Sequence, residues 1–403
     1  MAPFFSPDEG NVFGYLAREF ETLDERPLGD VDSLVLSCLS YLRVPEAAAR
    51  ARTSEGAPLL DLFRADWLDA MTRGLWSPEG LARLLGAVAA SPRLRELRVC
   101  HYVEDFDEAA EKQFSACTLR LPGGGAYVSF RGTDNTLVGW REDFNMAFET
   151  GVPSQRAATA YLERVAPTVS GPLFAGGHSK GGNLAVYAAC TCSDAVAARL
   201  ARVFSHDGPG FTAETLSSEG WRARAGLVSK TVPRSSLIGM LFEQQEDYAV
   251  VDSSVTGVSQ HDPFSWVVEG SDFVRLEGIG RGAGFVDETL NGWISSMTRE
   301  ERAGFVDTLF SVLSAGGEAT FAELAGNWQS SVPAMLHELG GLEPGRREHI
   351  MRALALLLRA AMPDLEPPQL PQMPDFSLPR FPDLEGLLAG KMEGGDATEE
   401  TEV

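Results

Sequence analysis

Residues 173–192 read LFAGGHSKGGNLAVYAACTC. An apolar run (Leu173, Phe174, Ala175) leads into Gly177-His178-Ser179-Lys180-Gly181-Gly182, and a small-residue helical pattern follows. G-x-S-x-G between a strand and a helix is the setting of a nucleophile elbow. The turn is so sharp that only glycine fits on either side of the serine, because a Cβ there meets neighbouring backbone. It lifts Ser179 Oγ out of the sheet and aims the first N–H groups of the helix at the space above it. Ser179 is therefore expected to be an acyl-transfer nucleophile.

A serine hydroxyl needs a base, usually a histidine oriented by an acid. With an elbow of this type the chain order is serine, acid, histidine. The chain has six histidines. His101 precedes the serine and His178 adjoins it within the turn, so its ring is expected to point elsewhere. His337 and His349 fall in amphipathic helices near the C-terminal end. His206 stands beside an acid candidate. His261, in GVSQHDP (257–263), follows the last clear strand and is the expected base. For the acid, Asp207 ends a strand inside a Gly/Pro-rich turn, where open α/β sheets place their sites. Asp252, which also ends a strand, is the alternative acid, and Asp247 a weaker third. Each has a plain reading as a turn aspartate. The oxyanion is expected to meet the backbone N–H of Lys180 and, from Arg131-Gly132-Thr133, the N–H or hydroxyl of Thr133. One such donor is typically worth roughly 3 kcal/mol of barrier.

Around this centre the pattern alternates. Residues 95–104, 112–121 and 126–130 read as strands, the last two joined at Gly123-Gly124-Gly125. A helix is expected over 151–167 with Ser154 as N-cap, and strands over 202–205, 226–232 and 248–251. This is an α/β fold with a mostly parallel sheet and flanking helices. Before it, residues 1–30 look irregular. Helices are expected over 30–44 (ended by Pro45), over 59–74, and from Ser77-Pro78-Glu79 to about Ala90. After residue 285 helical periodicity marks 287–297, 299–313, 321–339 and 344–362, with a capping box at Thr298. The expected organisation is an N-terminal helical segment (1–94), an α/β core (95–284), a C-terminal helical region (285–362) and a Pro-rich, acidic, disordered tail (363–403).

The 403 residues are 44% hydrophobic and 23% charged, the balance of a soluble globular protein with a large core. The net charge of −23 disfavours nucleic acid and anionic membrane surfaces. Five cysteines without a CxxC are expected to be reduced and structural, with no metal role. No signal peptide or transmembrane run is read, so the expected location is cytoplasmic.

GHSxGG preceded by FRGT resembles the class 3 lipases of the α/β-hydrolase superfamily. The chain more closely resembles the Mbeg1-like family. The resembling stretches are DVDSLVLSCLSYL (30–42), FRGTDNTLVGWREDFNMAF (130–148), GGHSKGGNLAVYAA (176–189), SHDGPGF (205–211), VPRSSLIGMLFE (232–243) and GVSQHDPFSW (257–266). The resemblance implies an α/β-hydrolase fold and a lipase-like serine hydrolase, with nucleophile Ser179, oxyanion loop at Thr133 and histidine His261. Class 3 lipases carry an acidic D-x-V-P turn where this chain has Lys230-Thr231-Val232-Pro233. A lysine cannot orient the base, which moves the acid role to Asp207. Lys180 stands where lipases commonly have an apolar residue. It either favours an anionic substrate or points to solvent or an acidic partner. The expectation is hydrolysis of a small-molecule or lipid-like ester without any cofactor or metal. A thioesterase or peptidase with the same triad, and a non-catalytic scaffold of the same fold, are the alternatives.

Overall fold

The computed structural model describes residues 6, 8–134, 136–146, 149–236, 238–241, 247–279, 298–317, 320, 323–324 and 327–361. The described residues belong to one compact unit, Met1–Leu365. The expected helix over 287–297 and the expected disordered tail fall outside them.

The described residues hold a nine-stranded sheet: β1 (Ala57–Pro58), β2 (Arg98–Asp107), β3 (Lys112–Arg120), β4 (Ala126–Phe130), β5 (Leu173–His178), β6 (Leu200–His206), β7 (Val228–Pro233), β8 (Ala249–Val251) and β11 (Arg275–Leu276). The order in space is the order in the chain. β1 to β4 pair antiparallel, β4 to β8 parallel, and β11 closes on β8 antiparallel. A short ribbon, β9 (Val268–Glu269) with β10 (Asp272–Phe273), precedes β11. These last three strands have two residues each, too few for a period-2 pattern to register. They lie beyond 248–251, the last strand that the sequence shows clearly.

Strand alternation sorts the sheet into two faces. On one face Ala116, Val128, Phe130, Ala175 and Val203 pack with α6 (Pro153–Val165) and α7 (Lys180–Thr191). Crossovers of one hand between parallel strands in chain order place their helices on the same side. The other face presents Cys117, Leu119, Tyr127 and Phe204, covered by the N-terminal helices α1 (Val12–Arg18), α2 (Asp30–Leu39), α3 (Ala65–Thr72) and α4 (Pro78–Ala90). Every residue of α2 is buried. Truncating a side chain there, such as Leu34→Ala, is expected to cost about 2–5 kcal/mol.

Several boundaries differ from the sequence reading. Residues 1–30 are not wholly irregular: Asn11 caps α1 through Phe13 N–H at 3.0 Å and Gly14 N–H at 3.3 Å. Seven residues give too little periodicity to read, but burial of Val12, Phe13, Tyr15 and Leu16 holds the helix. α2 stops at Leu39, before Pro45 acts. The N-cap of α6 is Val152 rather than Ser154. Gln155 Oε1 satisfies Gly151 and Val152 N–H, and Ser154 N–H goes instead to Glu142 Oε1 at 2.7 Å.

Helices over Arg299–Leu313, Trp328–Gly340 and Pro344–Ala361 follow. Thr298 and Glu301 form the expected capping box. Leu309, Phe310 and Leu313 build a third apolar cluster that takes in Leu137, Trp140 and Phe144 of α5 (Leu137–Asn145). All five cysteines are buried free thiols. Among the described residues no helix is long and apolar enough to cross a membrane.

Candidate active site

β5 ends at His178 and α7 begins at Lys180, so one residue, Ser179, makes the turn. Its φ of 58° and ψ of −134° lie where an L-residue is strained, at a cost of about 1–3 kcal/mol. The surroundings enforce it. Ser179 N–H bonds His206 O at 2.9 Å. A Cβ on Gly177 would stand 2.2 Å from Gly181 C, and one on Gly181 would stand 2.1 Å from Phe130 O. Both flanking glycines are thus required by close backbone approach.

Asp207 directly follows β6, also at positive φ (51°), with its N–H on Thr231 O at 2.7 Å. Its side chain is fully buried, and Oδ1 accepts from Ser236 Oγ. Oδ2 lies 2.6 Å from His261 Nδ1. A carboxylate can only accept, so Nδ1 carries the proton and Nε2 is left as an acceptor. Nε2 stands 3.0 Å from Ser179 Oγ. Serine, histidine and aspartate therefore form one hydrogen-bonded chain, brought together from the ends of β5 and β6 and from the 3-10 turn Gly257–His261. The His261 side chain is 28% exposed, so the chain of bonds reaches solvent at the histidine, while Asp207 is fully buried and Ser179 nearly so. The alternative acid, Asp252, turns its Oδ1 to the neighbouring Ser253 N–H at 2.9 Å, as turn aspartates do. Asp247 is exposed.

His178 is buried beneath this chain. Its Nε2 lies 2.9 Å from the His261 carbonyl oxygen and its Nδ1 3.0 Å from Tyr41 OH. The carbonyl only accepts, so Nε2 is the protonated nitrogen and Tyr41 donates to Nδ1. Burial, assisted by His261, holds His178 well below the usual imidazole value, which keeps it neutral. This ring supports the turn that carries His261. The sequence reading places the ring away from Ser179, but nothing in its local pattern reveals the contact to a residue 83 positions on.

On the other side of Ser179 stands α5. Thr136 caps it through Gly139 N–H at 3.1 Å, and Asp134 accepts from Thr136 N–H at 3.0 Å. The Lys180 ammonium is 1% exposed and does not reach solvent. It donates to Glu142 Oε2 at 2.6 Å and to Gln113 O at 3.1 Å, with Asp143 Oδ1 at 3.6 Å. Burial would lower its pKa, but Glu142 and Asp143 outweigh that and raise it. The idea that Lys180 selects anionic substrates is corrected: its charge is neutralised inside the protein. As the first residue of α7, Lys180 has a backbone N–H with no intrahelical acceptor. The Thr133 hydroxyl donates to Asp143 Oδ2, which leaves the backbone N–H as its remaining donor. The preceding Arg131 is buried and pairs with Glu104 Oε1 at 2.8 Å. A Cβ on Gly132 would sit 2.7 Å from His178 O, so this loop lies directly against the elbow.

A small, mostly apolar cleft opens beside Ser179, lined by Trp140, Phe144, Pro209, Ile238 and Leu241 together with Asp143 and Lys180. Among the described residues no group of three or more His, Cys, Asp or Glu is placed to hold a metal ion.

The family model described as Mbeg1-like matches residues 88–311. No curated protein matches the chain. Among solved structures, the chain is similar to that titled "Crystal structure of M37 lipase". The two are 12% identical over 52% of this chain and 68% of that one, with a TM-score of 0.32.

Proposed function

The chain belongs to the Mbeg1-like family, and we propose that it is a serine hydrolase that cleaves carboxylic esters through an acyl-enzyme. The observation that carries this reading is the continuous bond chain from Ser179 Oγ through His261 to Asp207 Oδ2. Ser179 Oγ attacks the acyl carbonyl while His261 Nε2 takes its proton. Asp207 holds the imidazole in the Nδ1–H tautomer and stabilises the imidazolium. The tetrahedral oxyanion sits against the backbone N–H groups of Lys180 and Thr133. His261 then gives its proton to the leaving alcohol, and water repeats the sequence to release the acid. The apolar walls of the cleft, Trp140, Phe144 and Leu241, suit a hydrocarbon acyl group.

Labelling with an active-site fluorophosphonate tests the reading. Wild type is expected to react, Ser179→Ala to remain unlabelled, and His261→Ala to label at a rate lower by about 10³-fold or more. An unlabelled wild type, or equal labelling of Ser179→Ala, sinks it. A panel of ester, thioester and amide substrates on the wild type ranks ester cleavage against thioester and peptide chemistry.

A further inference from the structure

We propose that α5 positions the oxyanion hole, its adjacent carboxylates Glu142 and Asp143 each gripping the side chain of one oxyanion donor, Lys180 and Thr133. This rests on the hydrolase reading above.

The two donors come from different parts of the chain: Lys180 opens α7, and Thr133 lies in the loop after β4. Their backbone N–H groups must point at one oxygen, and neither local turn can enforce that. The side chains supply the link. Lys180 Nζ is 2.6 Å from Glu142 Oε2, and Thr133 Oγ1 donates to Asp143 Oδ2. Successive helix residues project about 100° apart, so one helix reaches both donors with neighbouring residues. Glu142 is itself anchored, its two oxygens taking Gln113 N–H at 2.9 Å and Ser154 N–H at 2.7 Å. Asp143 Oδ1 lies 3.6 Å from the Lys180 ammonium, which closes the link between the two grips. Gly139 lets α5 approach the loop, since a Cβ there would sit 2.9 Å from Thr133 Cγ2.

Stability alone gives no reason for this arrangement. A buried ion pair is often no better than apolar residues of similar volume, because desolvation cancels the attraction. Burial raises the Asp143 carboxyl to about 6, so an ionised carboxylate at this place works against the fold at neutral pH. What the charges supply, and methylenes would not, is direction: short bonds that fix where each donor sits. A misplacement of about 1 Å at a reacting centre can cost on the order of 100-fold in rate.

The test is a double-variant cycle on the purified full chain, using a p-nitrophenyl ester for turnover and an aryl trifluoromethyl ketone as the tetrahedral mimic. Thr133→Val keeps the backbone N–H and removes only the grip. Asp143→Ala removes the grip from the other side. Each is expected to lower kcat about 30-fold with KM within twofold, less than the 100- to 1,000-fold typical of deleting a donor. Affinity for the ketone is expected to fall by a similar factor. The double variant is expected to be no worse than the poorer single one, and Thr133→Ser to regain most of kcat. The clamp is overturned if wild type turns over and labels normally while Thr133→Val keeps its kcat, if the losses fall in KM, or if the two factors multiply. An unlabelled, inactive wild type instead removes the hydrolase reading, and the clamp with it. Thr133→Val is nearly isosteric, so the cycle stands even if Asp143→Ala folds poorly; Asp143→Leu, which has no acceptor for the Thr133 hydroxyl, then replaces it.

Discussion

Two buried lysines flank the candidate site, and the protein treats them in opposite ways. Lys180, at the start of α7, meets Glu142 at 2.6 Å and Asp143 at 3.6 Å, and its pKa is raised. Lys230, inside β7, bonds the Gly239 carbonyl at 2.8 Å and feels Asp207, yet burial drags it down to about 8. One opens the helix after β5 and the other lies within β7, and both are almost wholly inaccessible. The difference is how much negative charge faces each. Two carboxylates hold Lys180 charged, whereas the carboxylate near Lys230 is already engaged with His261 and Ser236. A lysine at an active site is therefore not a report on substrate charge until its internal partners are known.

The largest expected effect separates the two acids on the Lys230 side. Asp207→Asn should lower kcat about 10⁴-fold, near 5.5 kcal/mol, through the wrong imidazole tautomer. Equal activity of Asp207→Asn and wild type in a steady-state ester assay would remove the triad assignment. On the other side, Lys180→Met strands Glu142 as a buried, unpaired charge. It should destabilise the fold by about 3–5 kcal/mol, read from urea denaturation. Lys180→Met/Glu142→Gln should recover part of that loss. If Lys180→Met alone is neutral, the ion pair contributes nothing and the contrast fails.

The next effect is one of pH. Lys230 binds its proton more weakly in the fold than in the unfolded chain, whose value is 10.5. Between about pH 8 and 10.5 the unfolded chain holds more protons, so this residue makes stability rise with pH across that window, by up to about 3 kcal/mol. Below pH 8 its penalty is fully present. The rise should be absent in Lys230→Met and present in wild type, compared by denaturant midpoints at pH 7.5 and 10. Identical pH profiles would show that Lys230 is held charged like Lys180. The smallest effect belongs to Asp252→Asn, expected within about twofold of wild-type kcat because its carboxylate only closes its own turn.

How far each part was readable follows the range of the forces involved. The elbow is legible because a steric rule acts over five consecutive residues, Gly177 to Gly181. The main strands of the sheet and the helix from Pro78 are legible because period and capping are local signals. α1 and the two-residue strands near Val268 are not, since burial against distant segments holds elements too short to advertise themselves. At the site, residue types and chain order single out Ser179 and His261, but Asp207 and Asp252 look alike in sequence because both end strands before turns. Only the fold brings one of them to 2.6 Å from His261. The Tyr41–His178 support and the grip of α5 on Lys180 and Thr133 leave no local trace either, for their partners lie from 10 to 137 positions apart.

The sequence by itself determined that a strained serine turn would form between a strand and a helix, because glycine sterics and strand–helix patterning act on near neighbours. It also determined which residue types were at hand to serve that serine. The tertiary structure decided which acid meets the histidine, that the Lys180 charge is paired inside the protein, and that α5 bonds the side chains of both Lys180 and Thr133. Those outcomes depend on hydrogen bonds and charges whose strength falls steeply with distance, and distances between remote residues exist only once the chain has folded.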